Sequence, residues 1–408
     1  MKRSLSPFWT LFILTGLNLF NYLDRSVLSA VLPDLQKDLG LNDDQAGTLG
    51  TAFMLGYFVT APVFGYLGDR MPRKWLIALG IFVWSLGTLL SGHASGFWNL
   101  IWFRVLVGLG EASYATISPS VISDKFFGEK RNTALTIFYV AIPVGAALGF
   151  VLGGQIAAHS SWRLAFIWAG APGLLLALLM LPFAETPRTG VVGQAKPKLG
   201  DALQLFISPN YMLVVLGYTA YTFALGGFQH WGQSFLVRVH QMPLASAGNF
   251  FGMIMVGAGL LGTFLGGLAA SAWHRRTPAA YALLLGWSVA AAAPCAYGAL
   301  SVSSTPLALA LLGLTMFLLF LSMGPVNTLI LETAPAQLRA SAMAVSIFMI
   351  HLFGDLWSPK IVGYIAGKSS LAQGVLILPV ALVPAALFWL VLATRMRQPT
   401  LRSPETLP

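Results

Sequence analysis

Two stretches place full charges where an apolar chain has no obvious use for them. "LFNYLDRSVL" sets Asp24 beside Arg25 in a run otherwise uncharged from Ser4 to Pro33, and "RVLVGLGEA" carries Arg104 and Glu111 seven residues apart. Seven residues bring two side chains to nearly the same face of a helix, and at about 100 degrees per residue Asn18, Asn21, Asp24 and Arg25 share an arc of about 120 degrees. A carboxylate or guanidinium in hydrocarbon costs at least about 2.5 to 3.5 kcal/mol on insertion scales, so these groups face a bundle interior or a wet cavity. If the two helices share one cavity, Asp24, Arg104 and Glu111 form a set in which two acids compete for one guanidinium. Burial favours a protonated carboxyl and a nearby arginine favours the ionised one. Moving Arg104 between the acids, or onto an anionic ligand, would therefore release or capture a proton. A local Asp24 to Arg25 pair and a static salt-bridge network are the structural alternatives, although adjacent helical residues point apart and pair poorly.

Depth agrees with a shared cavity. Counting about 1.5 Å per residue, Asp24 lies roughly 13 Å below the outer end of its helix and Arg104 roughly 10 Å below the outer end of its own. Gly108, between Arg104 and Glu111, either lets those two lean together or lets a ligand reach the backbone. "HLFGDLWSPK" adds His351 and Asp355, four apart on one face and followed by Pro359, which should kink the span. They read either as a second proton group or as an internal hydrogen bond. The expected ligand contacts are Arg104, Arg25, Asn21, Glu111, Trp231, His351 and Asp355, with Trp231 and Trp357 alternatively serving as interface anchors or core. Gly145, Gly149 and Gly153, at four-residue spacing, read mainly as a close helix contact.

These charges need long helices to position them. Of 408 residues, 56% are hydrophobic and 9% charged, whereas a soluble domain is about a quarter charged. Apolar runs long enough to cross a bilayer recur along the chain. Twelve spans are predicted, over 8–33, 46–68, 74–93, 97–123, 132–158, 162–183, 209–236, 246–271, 279–300, 306–331, 340–367 and 371–394. The first run is too long for a signal-peptide core and reads as the first span. A Pro-, Gly- and Lys-containing stretch over 185–208 reads as a linker between bundles at 1–184 and 209–408.

Seventeen of the 24 Lys and Arg residues fall in the tails, the linker and the loops on the N-terminal side, and four (Lys37, Arg163, Arg238 and Lys368) on the other. That asymmetry predicts two cytoplasmic termini. The halves also repeat: "SPFWTLFIL" from Ser6 and "SPNYMLVVL" from Ser208 open the first and seventh spans, and "GYLGDRMPRK" and "GLAASAWHRR" close the second and eighth at the same offset. Asp124 with Arg131 and Glu332 with Arg339 flank matching loops. A duplicated six-helix unit suits alternating access around a central site, with Asp69, Arg70, Arg73, Lys74, Asp124, Arg131, Glu332 and Arg339 expected to hold a closed state. The second half has Gly226 and Gly227 where the first has Asp24 and Arg25.

Other classes fit poorly. A net charge of +10 is spread over loops rather than gathered on one module, which argues against nucleic acid. Six scattered histidines and one cysteine, Cys295, offer no metal spacing, and no nucleophile elbow is present, which argues against an enzyme.

"GYLGDRMPRK" resembles the loop signature of the major facilitator superfamily, with Pro72 where that signature has glycine, and "RVLVGLGEA" resembles its fourth-helix signature. "NYLDR", "GEASYATISPSVISDKF" and "HLFGDLWSP" together resemble the Spinster family. That resemblance implies an all-α integral membrane fold of twelve helices, proton-linked movement of a sphingoid phosphate or lysophospholipid, and coupling roles for Asp24, Arg104 and Glu111. Organic-anion or phosphosugar symport and drug/proton antiport are the alternatives. Protons alone, without a cofactor, are expected as the coupling partner, in a monomer of a bacterial inner membrane whose partners are the bilayer and a small amphipathic substrate.

Overall fold

In lipid every backbone N–H and C=O must find a partner inside its own segment, and helices are the direct solution. A computed structural model of the chain, describing residues 6–127, 129–180, 204–335 and 338–397, is all-helical among those residues. The first bundle comprises α1 (Pro7–Leu39), α2 (Asp43–Arg70), α3 (Arg73–Ser91), α4 (Phe97–Lys125), α5 (Glu129–His159) and α6 (Trp162–Met180). The second comprises α7 (Pro209–Arg238), α8 (Leu244–His274), α9 (Ala280–Ser301), α10 (Thr305–Phe320), α11 (Met323–Thr333), α12 (Arg339–Ile350), a π-helical turn at His351–Asp355, α13 (Ser358–Lys368), α14 (Leu371–Gly374) and α15 (Ile377–Arg397). The tenth span is α10 with α11, the eleventh is α12 through α13, and the twelfth is α14 with α15. Most of the 185–208 linker lies outside the described residues.

Local chemistry sets the boundaries. Ser6 caps α1, accepting from the Trp9 amide at 3.4 Å, and Gly40 ends it at φ 64°, a left-handed conformation that favours glycine. Asn42 and Gln45 then form a reciprocal capping box that starts α2. The eleventh span breaks before Pro359, at a π-helical turn that reshapes the backbone between His351 and Asp355.

Ten segments are long and apolar enough to cross a membrane, and Trp162–Leu178 is a shorter apolar helix. The 33-residue α1 is long enough too, but Asn18, Asn21, Asp24 and Arg25 dilute its hydropathy.

Within the halves α1 packs on α5, α2 on α4, α3 on α4 and α6, and α9 and α7 on α15. The halves meet through α5 with α8, α2 with α13 and α1 with α7. Glycine permits the tightest of these crossings. A Cβ at Gly149 would lie 2.3 Å from the Leu23 carbonyl oxygen, and one at Gly145 2.3 Å from that of Leu19, so α5 rides on the α1 backbone. Gly149→Leu is expected to cost about 3 kcal/mol, the upper end for overpacking. A melt in detergent should register this as a lower midpoint; an unchanged midpoint would mean the crossing is looser than the structure has it.

Candidate functional site

The polar stripe of α1 is divided among three neighbours. The Asn18 amide donates to the Phe138 carbonyl on α5 at 2.9 Å. Both oxygens of Asp24 accept from the Thr88 hydroxyl on α3, at 2.6 and 2.7 Å. Arg25 turns to α2, donating to Met54 Sδ at 3.2 Å and placing its guanidinium carbon 4.7 Å from the centroid of the Phe53 ring. Asp24 and Arg25 therefore do not pair with each other. Thr88, Met54 and Phe53 carried no signal in the sequence, being one threonine, one methionine and one phenylalanine in apolar runs.

Helix α4 brings Arg104 and Glu111 to the same interior, each only 1% exposed. The Arg104 guanidinium sits 5.2 Å from the Phe53 centroid, on the ring that Arg25 also uses. Its Nε and Nη1 are buried without an acceptor, and the buried Glu111 carboxyl has the Asn21 amide beside it, short of a well-formed hydrogen bond. Arg25, Asp24 and Arg104 all lie within electrostatic reach of Glu111. The Nδ2 of Asn21 is likewise buried and unmatched. Buried polar atoms in proteins are overwhelmingly hydrogen-bonded, so this concentration of unmatched ones marks a place built for something other than packing. Gly108 has a different role from either sequence reading. A Cβ there would lie 2.0 Å from the Phe53 carbonyl oxygen, so its missing side chain lets α2 and α4 touch.

The second half contributes His351 and Asp355. The imidazole Nδ1 is 3.0 Å from both Asp355 oxygens, and the His351 ring packs 6.0 Å from that of Tyr57 on α2. Asp355 is also within electrostatic reach of Arg25, so the central charges of the two halves sense one another. Trp231 is not at this centre. It is fully buried, and its indole N–H donates to the Pro359 carbonyl at 3.0 Å, which makes it a brace between α7 and α13. At the positions matching Asp24 and Arg25, a Cβ on Gly226 would lie 2.7 Å from Asp355 Cβ and one on Gly227 2.2 Å from Leu378 Cδ2. Close packing replaces charge in this half.

The expected gate residues pair inside their own halves. Arg73 bridges to Asp124, Arg131 donates to the Phe126 carbonyl at 3.1 Å, Arg339 to that of Leu331 at 3.2 Å, and Glu332 lies 3.9 Å from His274. Arg70 stacks 3.6 Å over the Tyr66 ring and Lys74 lies 5.4 Å from that of Trp75. The Asp69 side chain lies outside the described residues. Ion pairs that do cross between halves sit at the opposite end, where the sequence reading placed none. Arg238 on α7 bridges to Asp43 on α2, and Lys360 on α13 donates to Asp44 at 2.6 Å and to Thr48 at 2.9 Å. The Thr51 hydroxyl adds a bond to the Leu356 carbonyl at 2.7 Å, and Gln233 one to that of Ala30 at 2.8 Å.

These bonds tie the two halves together at that end. Replacing both Arg238 and Lys360 by alanine is expected to lengthen the distance between spin labels at exposed Lys37 and Ser303, read by double electron–electron resonance in a background with Cys295 replaced by serine. An unchanged distance distribution would show that apolar packing alone closes this end.

Comparison with known proteins places this geometry. Residues 14–359 match the Major Facilitator Superfamily. Protein spinster of Drosophila melanogaster is 35% identical over 375 residues, covering 88% of this chain and 62% of the fly protein, so the chain spans less than two thirds of that relative. A Danio rerio relative described as "Sphingosine-1-phosphate transporter SPNS2" is 34% identical over 390 residues, covering 90% of this chain and 77% of the fish protein. The crystal structure of a bacterial homologue of the human lysosomal transporter Spinster, inward-facing and unoccupied, superposes with a TM-score of 0.86 at 24% identity, covering 97% of this chain and 99% of that one.

Proposed function

Because this chain belongs to the Spinster family of the major facilitator superfamily, and is a membrane transporter, we propose that it moves an amphipathic anion by alternating access and couples that movement to protons. The lysophospholipids and sphingoid phosphates are the proposed cargo. One observation carries the reading: Glu111 and Arg104 are both buried at the centre of the first bundle, yet neither Arg104 Nε nor Nη1 has an acceptor, and the Glu111 carboxyl has beside it only the Asn21 amide and the charges of Arg25, Asp24 and Arg104. A carboxyl group held that way can take up or lose a proton as a nearby guanidinium engages or leaves an anion. The second half, with glycine in place of the charged pair, supplies the apolar walls that an acyl tail needs.

Asp24 has a quieter part in this scheme. With both oxygens held by Thr88, it biases Arg104 and Glu111 through space while staying in place. His351 and Asp355 form the second-half contact to the head group through Arg25. In the closed arrangement, the pairs from Arg238 to Asp43 and from Lys360 to Asp44 seal one end, and the cargo enters from the other. The charge asymmetry of the loops makes the entry side cytoplasmic. We place the protein as a monomer in a bacterial inner membrane, with protons rather than a cofactor as the driving species.

The test is flux in liposomes. Protein reconstituted with a fluorescent lysophosphatidate should move it faster when a pH gradient is imposed, and a phosphosugar should not compete. Equal flux with and without the gradient would remove proton coupling, and competition by the phosphosugar would favour a hydrophilic anion as cargo.

A further inference from the structure

Cations at the end of the bundle that carries the turn from α2 to α3 are in several cases held by the protein itself. Arg73 bridges to Asp124, Arg131 and Arg339 donate to backbone carbonyls, and Arg70 stacks on Tyr66. Four arginines of the second half differ. Arg275 and Arg276 follow the last residue of α8, and Arg395 and Arg397 close α15. All four are exposed, and among the described residues none of them has a hydrogen bond, an ion pair or a ring contact. The second half has little to offer them. From Pro209 to Arg397 the sequence holds two acids, Glu332 and Asp355, of which the first lies 3.9 Å from His274 and the second 3.0 Å from His351.

Two of the four stand at the foot of apolar stripes. On α15 the exposed Val383, Leu387 and Val391 recur every fourth residue, and the next step is Arg395. On α8 the exposed Leu261 and Leu268 are seven apart, and the next such step is Arg275. Steps of four and seven stay on one face of a helix, so each membrane-facing stripe ends in a guanidinium. The rise from Leu261 to Arg275 is about 21 Å and from Val383 to Arg395 about 18 Å. One leaflet, head groups included, is about 20 to 22 Å. The two stripes end at one level. A Cβ on Gly286 of α9 would lie 2.6 Å from Leu390 Cδ2 of α15, and about 10 Å beyond that crossing come Ala279, just after Arg275 and Arg276, and Arg397.

We propose that Arg275, Arg276, Arg395 and Arg397 form a docking surface for anionic phospholipids of the leaflet at that end, with the acyl chains along the stripes and the phosphates on the guanidiniums. The surface lies outside the central site and is independent of the cargo. Charge decides the class of lipid: four cations without a protein acid attract a lipid that carries net negative charge more than a zwitterionic one. A guanidinium also meets phosphate oxygens with two parallel donors.

The test counts the phospholipids that stay on the full-length protein. Native mass spectrometry after incubation in detergent with equal amounts of dioleoylphosphatidylglycerol and dioleoylphosphatidylcholine is expected to show the anionic lipid retained in preference. Arg275→Gln with Arg276→Gln, and Arg395→Gln with Arg397→Gln, should each remove part of that preference, and all four together should lower it by roughly tenfold or more. Lysine at the four positions should keep most of it. Lys37→Gln with Lys368→Gln, exposed at the opposite end, should leave it unchanged. A phosphatidylglycerol with a diazirine on its head group, photolysed with the native protein, should label residues 271–279 and 391–397, a measurement that needs no variant. No preference in the native protein, a preference that survives the four glutamines, an equal loss in the Lys37 and Lys368 variant, or labelling that avoids both segments would each overturn the proposal.

Discussion

Glu111→Gln is expected to abolish the response of transport to a pH gradient and to lower gradient-driven flux by on the order of tenfold or more. Glutamine keeps the shape and hydrogen-bonding capacity of the side chain but cannot carry the proton. Cargo binding should remain within about threefold, well under the 1.4 kcal/mol that separates decades of affinity. The protein should also melt close to the parent, because the amide matches the shape and the neutrality of the protonated carboxyl. Flux in liposomes with and without an imposed gradient, alongside a thermal melt, separates these quantities. Gradient-driven flux at parental level in the variant would assign the proton to another group.

Arg104→Ala should remove binding itself. The guanidinium is buried among Asp24, Glu111 and Arg25, and truncating one member of such a set leaves uncompensated charge behind. Truncating one partner of a buried charge pair across a binding interface typically costs about 2 to 5 kcal/mol. At about 1.4 kcal/mol per decade, a loss between roughly thirtyfold and a few thousandfold in affinity for lysophosphatidate is expected. Arg104→Lys should recover little of it, since an ammonium lacks the planar fork of donors and stacks less well on Phe53. Isothermal titration in detergent is the measurement, and affinity within threefold of the parent in the alanine variant would show that the head group sits elsewhere. Glu111→Gln and Arg104→Ala are thus expected to divide cleanly, the first losing coupling and the second losing binding.

The spans and the interior charges were legible because hydrocarbon penalises both polar backbone and charged side chains, and that penalty is written directly in residue type. The all-helical membrane fold, the resemblance to the superfamily and the burial of Asp24, Arg104 and Glu111 all rest on it. What each charge touches was not legible, because a helical wheel describes one helix and contact depends on the rotation and tilt of two. Asn18, Asn21, Asp24 and Arg25 share an arc on α1, yet the first, third and fourth reach α5, α3 and α2 respectively. Gly108 was readable as a special position, but only the approach of Phe53 gives its reason. Phe53 itself is one of 27 phenylalanines, and nothing in its local sequence sets it apart.

The interface between halves was harder still. Asp43 and Arg238 are 195 residues apart and Asp44 and Lys360 are 316 apart; the loop motif instead drew attention to Asp69 through Lys74 at the other end. Charges in loops are common and pair locally at little cost, so their type says nothing about which of them cross. Trp231 illustrates the same limit for aromatic residues, since a tryptophan lining a path and one bracing two helices have identical neighbours in sequence.

The most direct measurement is the pH of a weakly buffered detergent solution of the protein as lysophosphatidate is added. Cargo that draws the guanidiniums away from Glu111 should leave that carboxyl with a tighter hold on its proton, so binding is expected to take protons from solution. The Glu111→Gln variant, binding the same ligand, should take up none. Binding without any proton exchange in the native protein, or identical exchange in the variant, would contradict the coupling of cargo and proton at Glu111.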